Sequence, residues 1–239
     1  MRQARQTDDL HTDFPISTIS TMSKAITLLL AAAGALSFQT AATAQDAAKG
    51  KEKAAMCIGC HGIVGYQASF PVVYKVPAIA GQGEKYLVNS LQAYKKGERK
   101  HPTMRAIAIT LTDADMADLA AYYTKLGASS VKPVSDTPAV APSAAVNELL
   151  TKGACASCHG ANFNKPIDPS YPKIAGQYND YLYQALKSYA VGNNMNYGRG
   201  NAIMGGQVKQ FKLEELKQMA NYIGSLPGEL HTVPQSKFR

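Results

Sequence analysis

Apolar positions recur with helical spacing near the end of each half of the chain. Met116, Leu119, Ala120 and Tyr123 fall at i, i+3, i+4 and i+7, the stripe one helix face presents to a core. Thr112 precedes the stripe as an N-cap, Asp113 and Asp115 sit in the first turn, and Gly127 reads as the stop. Leu216, Met219, Ala220 and Ile223 repeat the stripe, but Lys212 stands where Thr112 capped the first, which predicts a start that frays more readily. Shorter helices are expected around 47–57 and 145–155. No segment alternates with period two, so the pattern predicts an all-α chain with loops between helices.

The resemblance between the halves extends well past these helices. Val76-Pro77-Ala78-Ile79-Ala80-Gly81-Gln82 is answered by Tyr171-Pro172-Lys173-Ile174-Ala175-Gly176-Gln177, and Tyr86, Leu91, Tyr94 and Gly97 by Tyr181, Leu186, Tyr189 and Gly192, all 95 positions on. Met104, Leu111, Leu119 and Tyr122 match Met204, Phe211, Met219 and Tyr222 at an offset of 100. A constant offset with one step is the mark of an internal duplication, with five residues gained in the Gly- and Asn-rich stretch before Met204. Residues 132–143, rich in Pro, Ala and Ser, read as an extended connector between domains at 45–131 and 144–239.

Ahead of these domains the pattern changes. Lys24 is followed by an apolar run from Ala25 to Phe38 and by Ala42-Thr43-Ala44, the layout of a secretory signal cut near Ala44, with Met22 as the expected true start. The run is short for a membrane span, which needs about 20 residues. The formal net charge is +8, and removing residues 1–44 leaves it unchanged. For an exported chain with no concentrated Arg cluster, that charge points to docking on acidic proteins rather than to nucleic acid.

The chemistry lies in Cys57-Ile58-Gly59-Cys60-His61 and Cys155-Ala156-Ser157-Cys158-His159. In such a run two thiols take up the vinyl groups of one haem as thioethers, and the adjoining imidazole binds iron from one face. The rival reading, a redox dithiol or half a zinc site, requires both pairs to be followed by His by chance. All four cysteines fall in the two motifs, so two covalent haem c groups are expected, held by Cys57, Cys60, Cys155 and Cys158, with His61 and His159 on iron.

Elimination narrows the ligand on the opposite face. Met1 and Met22 leave with the leader, Met116 and Met219 belong to core stripes, and Met56 adjoins Cys57. Of the remaining three, Met104 and Met204 occupy matching places, whereas Met195 lies in the insertion with no counterpart. His101, three residues before Met104, is a second rival that would lower the potential; its other reading is a loop histidine near a propionate or solvent. His231, in the C-terminal tail, is expected to be exposed.

With these residues the chain resembles the dihaem cytochromes of the cytochrome c4 family, two class I cytochrome c domains in tandem. The resemblance implies an all-α fold in each half, His/Met ligation at both irons and a periplasmic shuttle between a membrane quinol-oxidising complex and a terminal oxidase. It also implies that the carbonyls of Pro77 and Pro172 accept from His61 and His159, and that Ile79 and Ile174 pack on the haems. Peripheral membrane association stays open, as does oligomeric state. Two other classes compete: an electron-accepting subunit of a periplasmic dehydrogenase, such as a sulfide-oxidising flavoprotein, and a dihaem peroxidase or thiosulfate-oxidising enzyme. The enzyme reading needs an exchangeable sixth ligand, against which the paired methionines argue.

Overall fold

A computed structural model describes residues 45–128, 134–192, 194 and 196–234; the expected leader, Met195 and the first two residues of the connector lie outside them. The first half runs α1 (Ala47–Lys53), α2 (Ala55–His61), β1 (Gln67–Ala68), β2 (Tyr74–Lys75), α3 (Glu84–Lys96), β3 (Arg99–Lys100), α4 (Pro102–Ala108) and α5 (Asp113–Ala128). The second runs α6 (Ala144–Lys152), α7 (Cys155–His159), α8 (Asn179–Val191), β4 (Gly198–Arg199), α9 (Ala202–Val208) and α10 (Leu213–Ser225). Helices dominate both halves, and each described strand has two residues, so the fold is all-α in class.

The predicted stripes become the two cores. Met116, Leu119, Ala120 and Tyr123 are all buried on α5, against which α1 and α3 pack. Leu216, Met219, Ala220 and Ile223 are buried on α10, against α6 and α8. Thr112 and Asp115 form a reciprocal box at the start of α5: Thr112 N donates to Asp115 Oδ2 at 2.9 Å and Asp115 N to Thr112 Oγ1 at 3.1 Å.

Three sequence expectations are corrected. The α10 start is not left open, because Glu215 Oε2 accepts from Lys212 N at 2.7 Å and supplies half of the box that the Thr-to-Lys change removes. Gly127 does not stop α5 but lies inside it; a Cβ there would stand 1.9 Å from Gly81 N, so its role is close approach between backbones. His231 is not a free tail residue. Its N–H donates to Ala80 O at 3.0 Å, forming an antiparallel bridge from the second half to the first, and its Nε2 is buried.

The connector is fastened to the second half. Asn162 Nδ2 donates to Ser135 O at 2.5 Å, Asp136 pairs with Lys165, and the Tyr222 hydroxyl donates to Val140 O at 2.8 Å. The halves themselves meet through β3 and β4, which pair antiparallel with Arg99 opposite Arg199. These arginines are 100 positions apart, so the pairing joins equivalent residues across a local twofold. Lys75 adds a second link, its N–H donating to Asp180 Oδ2 at 3.0 Å and its ammonium approaching the same oxygen at 3.3 Å.

Candidate functional site

Each C-x-x-C-H run is itself helical. In α2, Cys57 and Cys60 stand three residues apart and His61 one further, which puts both thiols and the ring on one side of a single turn. The short α7 repeats the arrangement with Cys155, Cys158 and His159. None of the four thiols is paired in a disulfide, and burial pushes those of Cys57 and Cys155 up from the ordinary thiol range.

Both histidines are oriented by proline carbonyls. His61 Nδ1 lies 2.8 Å from Pro77 O, and His159 Nδ1 lies 2.9 Å from Pro172 O. A carbonyl only accepts, so the proton sits on Nδ1 and the lone pair on Nε2, the form that can bind iron. Burial lowers both imidazoles from their ordinary value and opposes protonation, which keeps that lone pair available.

A continuous cavity of about 550 Å³ is lined by both motifs, by Pro77, Ile79, Pro172 and Ile174, and by Met104 and Met204. The methionines enter from α4 and α9, short helices capped in equivalent ways. His101 Nδ1 accepts from Met104 N at 3.4 Å, and Asn201 Oδ1 from Met204 N at 2.9 Å. His101 therefore has a defined place as an N-cap, edge-on to Phe70 at 6.1 Å, and Asn201 explains why the second half lacks a histidine there. Met116 and Met219 are buried in the cores, and Met56 is 62% exposed.

Arg99 and Arg199 line the same cavity and were missed by sequence reasoning, although their offset of 100 matches that of the methionines. Both are buried, and among the described residues no carboxylate pairs with either. Instead they share the Tyr181 hydroxyl, at 2.7 Å from Arg99 and 3.1 Å from Arg199. Arg99 also stacks on Tyr94, and Arg199 on Tyr189. Burial raises the Tyr181 phenol, but the two guanidinium charges outweigh it and draw the group below its ordinary value. Arg99 Nε is buried without a partner, a donor left for an acceptor that the protein itself does not provide.

These features fit haem. The pairs of thiols stand beside imidazoles of the right tautomer, thioethers line the same apolar space, and two guanidinium groups without a carboxylate partner among the described residues would balance the charge of haem carboxylates. Among the described residues no three His, Cys, Asp or Glu side chains converge to hold a bare metal ion.

Comparison with known proteins agrees. The family described as Cytochrome c matches residues 47–126 and again 143–227. Cytochrome c4 of Azotobacter vinelandii is 32% identical over 226 residues, covering 86% of this chain and 100% of that protein. A thiosulfate dehydrogenase electron acceptor of Thiomonas intermedia is 34% identical over 173 residues, 70% of this chain and 76% of its own. The crystal structure of reduced cytochrome c4 from Pseudomonas stutzeri matches with a TM-score of 0.57 at 28% identity, covering 77% of this chain and 100% of that one.

Two cytochrome c domains in tandem, each with its own thioether motif, define a dihaem c-type cytochrome that carries electrons. The chain belongs to the cytochrome c4 family, and its cofactors are two covalent haem c groups.

Proposed function

We propose that the protein is a periplasmic one-electron carrier in which His61 and Met104 ligate one iron, and His159 and Met204 the other. Bound haem supplies reversible one-electron chemistry; the chain supplies attachment, ligands and a low-polarity enclosure. The observation that carries the reading is the duplication of the whole ligand set around one cavity: cysteine pair, carbonyl-oriented histidine and capped methionine helix occur twice, in equivalent places. Haem held by a protein ligand on each face would have no coordination position for a substrate, and a thioether ligand would raise the potential relative to a second imidazole. Arg99 and Arg199, buried in the cavity lining without a carboxylate partner among the described residues, would hold the haem carboxylates.

In this reading the segment 1–44 directs export and is removed, and electrons pass from a membrane quinol-oxidising complex to a terminal oxidase. A second reading has specific support. The Thiomonas intermedia relative and one of Stutzerimonas stutzeri, 29% identical over 220 residues, are both named thiosulfate dehydrogenase electron acceptors. The protein would then accept electrons from a dehydrogenase of that class, a role the same two centres support. Reduction of the purified protein by a thiosulfate dehydrogenase or by a quinol-oxidising complex, followed side by side, separates the two donors.

Met104→Ala and Met204→Ala test the ligands. Each substitution is expected to remove the sulfur-to-iron absorption at the red edge of the oxidised spectrum for one haem and leave the other. An unchanged spectrum for M204A would move the assignment to Met195, and a low-potential step in the wild-type titration would implicate His101.

A further inference from the structure

The proline segments end in equivalent glutamines, Gln82 and Gln177, both only 4% exposed. Each crosses to the opposite half. Gln177 Nε2 donates to Ala78 O at 2.8 Å while its Oε1 accepts from Ala78 N at 3.0 Å. Gln82 Nε2 donates to Lys173 O at 3.0 Å while its Oε1 accepts from Lys173 N at 2.9 Å. The partners fix which end of each amide is oxygen, since a backbone N–H faces one end and a backbone C=O the other. Each Oε1 is also anchored in its own half, by Gly83 N at 2.9 Å and Tyr178 N at 3.1 Å.

The residues so clasped matter. Ala78 N and Pro77 O belong to one peptide group, as do Lys173 N and Pro172 O. The carbonyl ends of those two peptides are the ones that accept from His61 and His159. Two hydrogen-bond chains result: Gln177 Oε1 to Ala78 N–H, through the peptide to Pro77 O and His61 Nδ1–H, and Gln82 Oε1 to Lys173 N–H, through the peptide to Pro172 O and His159 Nδ1–H. An acceptor on the N–H end of a peptide polarises it and makes its carbonyl the stronger acceptor. A stronger acceptor at Nδ1–H makes an imidazole more electron-donating through Nε2, which favours the oxidised iron.

We propose that Gln82 and Gln177 are crossed positioning residues: Gln177, in the second half, tunes the haem of the first through His61, and Gln82, in the first, tunes the haem of the second through His159. This rests on His61 and His159 being iron ligands. Because each glutamine belongs to the half it does not serve, the two potentials depend on the halves staying docked.

The test is redox titration of the full holoprotein, with each haem assigned by its hyperfine-shifted methyl signals. Gln177→Leu is expected to raise the potential of the haem on Cys57 and Cys60 and to spare the other; Gln82→Leu is expected to do the reverse. Leucine also strips partners from a buried peptide, so Gln177→Glu is the second variant, with an oxygen still facing Ala78 N. Protonated, it leaves the potential in place, and ionised, it lowers it. A rise with Q177E, a shift in the haem of the substituted half, or no shift with Q177L overturns the coupling. Wild-type spectra without hyperfine-shifted imidazole signals from His61 and His159 would overturn the ligand assignment itself, and the coupling with it.

Discussion

The two halves carry the same centre on different fastenings. In the first, α1 is tied to α5 by charge: Lys53 Nζ meets Asp115 Oδ1 at 2.6 Å and Asp118 Oδ2 at 2.9 Å, and Asp118 Oδ1 accepts from Asp46 N at 2.9 Å. In the second, Thr151 and Gln218 stand in the places of Lys53 and Asp118, and the work passes to larger apolar side chains. There Val146, Leu149 and Leu150 of α6 pack on the core, where α1 of the first half brings Ala47 and its C-cap Ala54. A polar plug adds to it: Asn162 and Asn164 are buried, and Asn164 joins Pro227 O at 3.1 Å and Glu229 N at 3.1 Å. Duplication has kept the motif, proline and methionine positions that line the cavity and let the outer contacts diverge, because many packings hold a helix in place but few residue types can ligate iron.

The sharpest way to break the comparison is to attack the closest helix contact. A Cβ at Gly50 would lie 2.0 Å from Asp118 O and 2.8 Å from Tyr122 Cβ, both on α5. Gly50→Ala is expected to push α1 off α5 at a cost of about 3 kcal/mol in denaturant unfolding. The position 98 further on is Glu148, which is exposed, and Glu148→Ala is expected to change stability by less than about 0.5 kcal/mol.

Acid separates the halves next. The Lys53 ammonium holds the carboxyls of Asp115 and Asp118 below the usual range, so their contribution is complete above the unfolded value of about 4 and is lost as pH falls below it. Hydrogen exchange measured from neutral pH to about pH 3 is expected to show α1 and α5 losing protection before α6 and α10. Asp118→Asn should weaken α1 protection at neutral pH and flatten its acid response; equal acid loss in the two halves would contradict the assignment.

The smallest expected difference is at the caps. Thr112→Ala removes the hydroxyl that accepts from Asp115 N, at about 1 kcal/mol. Glu215→Ala removes the surviving half of the α10 box, at about 0.5 kcal/mol. Thermal unfolding of the two variants gives the comparison directly, and an equal or larger loss at Glu215 would mean that α10 relies on its cap as much as α5 does.

What could be read in advance follows from range along the chain. The helix stripes at 116–123 and 216–223 and the C-x-x-C-H turns are contacts within a few residues, so spacing reveals them. Thr112 was legible for the same reason, and Glu215 was within reach as a box partner three residues from Lys212. Gly127 was misread because a glycine near a helix end has the same appearance whether it ends the helix or admits a neighbouring backbone. His231 was misread because its partner, Ala80, is 151 positions away. The duplication offsets reached further: the step to 100 that paired Met104 with Met204 also pairs Arg99 with Arg199, although their chemistry appears only where β3 and β4 bring them together.

The amino-acid order by itself determined the two C-x-x-C-H motifs, the candidate haem attachment points and iron ligands and the twofold repetition, because motif spacing and helix packing are local. Tertiary structure alone decided that two arginines share one tyrosine between the halves, and that each glutamine clasps the backbone after the proline of the other half. All but the Arg199–Tyr181 contact join residues more than 80 positions apart, and only the docking of two helical bodies fixes which of the many polar side chains meet.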